Sequence, residues 1–140
     1  MKTLASICAL GLLAAGAARA APPEYLMVDY STELLMDRAT ARALWKENLP
    51  PQARKLYSPR RWGLASVVEG GFNEAKTCVV SARAMIAPLN TTRRALLFVP
   101  EKMAGTFDAI PNATLAQCKD LSRRKLSESI QAIGFAIAPR

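Results

Sequence analysis

Residues 76–86, KTCVVSARAMI, and residues 114–133, TLAQCKDLSRRKLSESIQAI, carry the fold between them. In the first, strict alternation puts Cys78, Val80, Ala82, Ala84 and Ile86 on one side of an extended chain. Thr77, Val79, Ser81, Arg83 and Met85 fall on the other, so the segment reads as a strand with an apolar face. The second opens on Thr114-Leu115-Ala116-Gln117, the spacing of a capping box, in which the hydroxyl caps the N3 amide and the amide side chain reaches back. A helix is expected from there to about Ile133. Leu115, Cys118, Ser122, Leu126, Ser129, Ile130 and Ile133 line one side, and Gly134 with Phe135 would close a Schellman-type end.

Each apolar face contains one cysteine. Apart from Cys8, in the leader described below, Cys78 and Cys118 are the only cysteines, so in an oxidising compartment their pairing is forced. A Cys78–Cys118 disulfide would staple strand to helix and fix the architecture. The expectation is an α+β domain: an antiparallel sheet of three to four strands, the C-terminal helix packed on one face, and an N-terminal helix covering an edge or that same face.

Outward from this core, Trp62–Glu69 reads as a strand, residues 70–74 (GGFNE) as a turn, and residues 76–86 as its hairpin partner. Pro88–Arg94 is a connection, Ala95–Val99 a short third strand stopped by Pro100, and Lys102–Ile110 a fourth. Ahead of these, Ala21–Asp29 is an extended lead-in. Ser31 is the expected cap of an N-terminal helix placing Leu34, Ala41 and Trp45 on one face, with Arg38 and Arg42 close to that stripe, and Pro50-Pro51 ends it. Gln52–Arg61, polar and basic without a period, is expected to be a loop.

The N-terminus reads as an export signal: Lys2, an apolar run from Leu4 to Ala18, and Ala18-Arg19-Ala20 ahead of Ala21-Pro22-Pro23, with cleavage near Ala20. The run is too short to span a bilayer, and no later stretch is long enough. Cys8 lies too early for lipid attachment at the cleavage point. Residues 21–140 then form one domain in the periplasm or outside the cell. The formal charge of +8 loses Lys2 and Arg19 with the leader, giving 8 − 2 = +6.

The chain has no histidine, which excludes Ser-His-Asp and Cys-His catalysis and histidine metal sites. No cofactor is implied. Ser122 and Lys125 have Ser-x-x-Lys spacing without the companion elements of that enzyme class, and a serine in the apolar stripe bonding back to the Cys118 carbonyl is the simpler reading. Glu69, Glu74, Glu101 and Asp108 could supply a carboxylate pair for a small cell-wall hydrolase, but no spacing selects two of them. Gly70-Gly71 is followed by a strand rather than a helix, which argues against a phosphate loop. Asn90 and Asn112 open glycosylation sequons that a bacterial envelope would leave unused.

Two surface features remain. Arg54, Lys55, Arg60, Arg61, Arg93 and Arg94 form basic clusters near Tyr57 and Trp62, suited to an anionic polymer of the envelope; export argues against nucleic acid. Trp62 and Phe72, with Met85, could form an apolar patch for a protein partner. The function expected is therefore that of a non-catalytic exported binding or accessory protein, of inhibitor or immunity type, acting on an envelope protein or an anionic polymer.

Overall fold

The computed structural model describes residues 21–97 and 99–137; the expected export leader, with Cys8, lies outside the described residues. The elements are β1 (Met27–Asp29), α1 (Arg38–Asn48), α2 (Pro51–Leu56), β2 (Trp62–Phe72), β3 (Cys78–Asn90), β4 (Ala95–Leu96), β5 (Lys102–Ile110) and α3 (Leu115–Ile137). The α+β architecture is the expected one. Cys78 and Cys118 are joined, 5.7 Å apart at Cα, across 40 residues of sequence.

The alternation in β3 decides what is buried. Cys78, Val80, Ala82, Ala84 and Ile86 are all fully buried under α3, and Val79, Ser81 and Arg83 are exposed on the opposite face. The alanines have a purpose: with no bulk at Ala82, α3 approaches closely enough for the Ser129 hydroxyl to donate to the Ala82 carbonyl at 3.0 Å. Thr106 on β5 extends this contact, donating to the Lys125 carbonyl at 2.8 Å and lying 3.0 Å from the Ser129 hydroxyl. The capping box forms as expected, with Gln117 Oε1 accepting from Thr114 N–H and Thr114 Oγ1 from Gln117 N–H. Ser122 donates to the Cys118 carbonyl at 2.9 Å.

The sheet is mixed rather than antiparallel, because β1 lies parallel to β2, with Val28 opposite Ala65. β2 and β5 flank β3 in antiparallel register. The third strand is shorter than expected, Ala95–Leu96 instead of 95–99. Beyond it Leu97 N–H donates to Pro88 O and Glu101 N–H to Ile86 O, so β4 and β5 occupy successive stretches of one edge of β3. β2 also runs past its expected end to Phe72. Gly70 and Gly71 carry it there at φ 137° and 150°, and a Cβ at Gly70 would overlap the Val79 carbonyl.

Three helix boundaries differ from expectation. The N-terminal helix starts at Arg38, capped by Asp37, whose carboxylate accepts from Thr40 N–H at 2.9 Å. Ser31 is spent elsewhere: it donates to Asp29 at 2.6 Å and accepts from Val68 N–H at 2.9 Å, leaving Leu34 exposed. Gln52–Arg61 is not all loop, since Pro51 starts the short α2 with its φ already helical and its missing N–H harmless there. Finally, α3 does not stop at Ile133. It continues through Gly134 to Ile137, and Phe135 is 83% exposed instead of folding back on Ile130. Gly134 serves a close approach: a Cβ there would sit 2.7 Å from Pro50 Cγ.

Candidate anion-binding end

The six basic residues singled out in the sequence lie on three segments, and the topology brings these to one end of the sheet. Arg54 and Lys55 occupy the last turn of α2. Arg60 and Arg61 form the turn into β2, where Arg61 N–H donates to the Ser58 carbonyl and the Arg61 carbonyl accepts from Leu89 N–H at 2.8 Å. Because Trp62 faces Pro88 in the register, the turn joining β3 to β4 projects from the same end, carrying Arg93 and Arg94. Asn90 shapes that turn by accepting from Thr92 and Arg93 N–H, and Arg94 adopts a φ of 48°. All six are exposed, and none makes an ion pair among the described residues.

An aromatic pair joins the end of α2 to the start of β2. Tyr57 and Trp62 meet edge to face with ring centroids 5.1 Å apart, Tyr57 buried and Trp62 half-buried against the core. The Tyr25 hydroxyl donates to the Tyr57 carbonyl and so ties the N-terminal segment to α2. Burial raises both phenols; the Glu101 carboxylate adds to the rise at Tyr57, and the Arg54 guanidinium opposes it at Tyr25. Arg54 also donates to the Lys46 carbonyl at 3.1 Å, which fixes one of the six cations. Two others gain rigidity from their backbone turns.

The apolar patch is not brought together. Trp62 and Phe72 are the two ends of the eleven-residue β2, about 33 Å apart at strand rise. Trp62 belongs to the basic end, while Phe72, 42% exposed, lies beside the β2–β3 turn.

The carboxylates are likewise separated. Glu69 on the open face pairs with Arg83 at 2.7 Å, Asp108 on the helix side lies 3.3 Å from Lys125, Glu74 is in the β2–β3 turn, and Glu101 is at the basic end, near Tyr57. The Asp108 carboxyl is lowered, first by the Ala109 N–H and then by Lys125, which is opposite to what a general acid needs. Lys125 is held between Asp108 and Glu128, with its Nζ 2.7 Å from the latter.

A second hollow was not read from the sequence. It is a cleft of about 270 Å³ between α1 and β1, lined by Asp29, Ser66, Trp45, Arg38 and Arg42 among others. Asp29 is its hub, accepting from Ser66 at 2.8 Å and from Ser31. Trp45 is buried, and its Nε1–H has no partner among the described residues. The one signal in the sequence was the pair of arginines, Arg38 and Arg42, one turn apart beside the buried Ala41–Trp45 stripe.

No family model matches the chain, and no curated protein matches it. Among solved structures it is similar to the PelC dodecamer from Paraburkholderia phytofirmans, at 11% identity and a TM-score of 0.42 over 80% of this chain and 87% of that one. It is also similar to a candidate lipoprotein from Caulobacter crescentus, at 15% identity and a TM-score of 0.41 over 79% and 85%. Likeness at this level assigns no function. Among the described residues no helix is long and apolar enough to cross a membrane.

Proposed function

We propose that this chain is an exported, non-catalytic binding protein that holds an anionic polymer of the cell envelope against its basic end. The observation that carries the reading is that α2, the Ser58–Arg61 turn and the Thr91–Arg94 turn, with six exposed cations, lie at the same end of the sheet. Such a surface acts by neutralising closely spaced charges and releasing their counterions. The disulfide supports an oxidising compartment. The absence of histidine and the scatter of the carboxylates support binding without chemistry.

The test is a titration of the chain with lipopolysaccharide vesicles and with dextran sulfate at rising salt. Affinity should fall steeply with salt, and Arg60→Ala/Arg61→Ala should weaken binding and flatten the salt slope by about two contacts. Salt-independent binding, or binding unchanged in that variant and in Arg93→Ala/Arg94→Ala, would overturn the reading. A protein retained at high salt would instead favour an inhibitor or accessory role.

A further inference from the structure

We propose that the open edge of β5 pairs with β5 of a second copy of this chain, antiparallel about a two-fold axis at Gly105, to make one continuous sheet. Among the described residues β5 pairs only with β3, so its outer edge is a nine-residue row of backbone groups. Which groups face outward follows from the ladder. Leu89 N–H bonds Arg61 on the β2 side and the Pro88 carbonyl accepts Leu97 N–H on the other, so even-numbered residues of β3 face β5. The register sets even against even, Ala84 with Ala104 and Ala82 with Thr106. Met103, Gly105, Phe107 and Ala109 therefore present their N–H and C=O groups to the open edge. Ala109 bears this out: its N–H is taken by the Asp108 carboxylate at 2.8 Å, not by β3.

The side chains select the register. With Gly105 opposite its own copy, Met103 faces Phe107 of the second copy, and the outward backbone groups of all three residues are matched. Met103 and Phe107 are 57% and 82% exposed on the open face of the sheet, a poor state for side chains of that size. On the helix side the same register sets Lys102 opposite Asp108 of the second copy, at a non-hydrogen-bonded position where side chains lie closer. Lys102 makes no ion pair among the described residues. Shifting the axis to Ala104 or Thr106 sets Lys102 against Thr106 or Ile110, so only the Gly105 axis matches the charges. Long open edges with few charges are the ones that pair with other chains. Gly105 at the axis adds no side chain where the two strands cross.

Sedimentation of the chain as purified, from micromolar to millimolar concentration, should show a monomer–dimer equilibrium and no larger species, because a two-fold pairing closes. Gly105→Pro, tolerated on an edge whose N–H faces outward, should remain monomeric while keeping its circular dichroism and its disulfide. Lys102→Glu should weaken the dimer at least about tenfold, as should Asp108→Lys. Mixing these two variants should restore association, since each copy then offers the opposite charge. A wild-type monomer at every concentration, species larger than a dimer, or a dimer indifferent to Gly105→Pro and Lys102→Glu would overturn the proposal.

Discussion

Helix α3 is fastened to β3 by a covalent bond and to the sheet by the Ser129 and Thr106 hydroxyls, whereas α1 is held by two buried side chains and by polar contacts at Lys46 and Asn48. On α3, Cys118, Leu121, Leu126, Ile130 and Ile133 are buried together with the disulfide. On α1 only Ala41 and Trp45 are buried, and Asn48 links to α3 by accepting from Ser127 and Gln131, each at 2.8 Å. The segment before α1 combines a polar hub, Asp29, with the buried Leu35 and Met36. The difference is one of redundancy. Loss of a single contact under α3 leaves others in place; beside β1 the buried Ser66 hydroxyl depends on the one acceptor Asp29 supplies.

The largest test removes the redundancy at its strongest point. Cys78→Ser and Cys118→Ser should each cost about 4 kcal/mol, the loop-closure value for a crosslink of this span. The two should agree, since each opens the same loop, and urea unfolding measures both. Unequal losses would mean that one sulfur contributes through packing rather than through the link.

On the other side of the comparison, Asp29→Ala should cost about 2 kcal/mol, out of proportion to its partial exposure, because it leaves the buried Ser66 hydroxyl without its acceptor and loosens Ser31 from Val68. Asp29→Asn, which keeps an acceptor, should lose less. If Asp29→Ala unfolds within about 0.5 kcal/mol of wild type, the range of ordinary surface substitutions, the parallel strand is held by backbone bonds alone.

This asymmetry also explains how far the sequence could be read. The β3 alternation and the Thr114 capping box are local patterns with a period or a fixed spacing, the distant cysteine pair is legible because Cys8 is the only other cysteine, and each forms as read. The Asp29–Ser31–Ser66 cluster spans 37 positions and has no spacing to recognise. Ser31 therefore looked like a helix cap until Val68 and Asp29 claimed its hydroxyl. In α2 the Pro-Pro pair, taken as an end, is also a start. Of the candidate site, the residue types were legible but their convergence was not. It depends on Trp62 facing Pro88, and only the strand register supplies that.

A smaller effect probes where the two helical regions touch. By helix propensity alone, Gly134→Ala should stabilise α3 by up to about 1 kcal/mol. Instead a net loss of about 1 kcal/mol is expected, because the new Cβ would press on Pro50 at 2.7 Å. In a Pro50→Ala background the sign should reverse, and a double-mutant cycle by thermal unfolding reads the coupling. Equal effects in both backgrounds would show that α2 yields without cost.

The weakest effect concerns the start of α1. The Asp37 carboxyl lies below its ordinary value of 3.8, first because Thr40 N–H donates to it and then because the Thr40 hydroxyl does. A folded value below the unfolded one means that the unfolded chain takes up the proton first. The cap therefore contributes in full above the unfolded value, and its contribution is lost as pH falls through the folded one. Asp37→Asn, which caps without titrating, should flatten that part of the acid limb while changing little near neutrality. Because α1 has so few anchors, fraying at Asp37 should reach Ala41 and Trp45, and Trp45 fluorescence should change ahead of the global transition in acid. Coincident transitions would show that α1 and α3 unfold as one unit in spite of their unequal fastening.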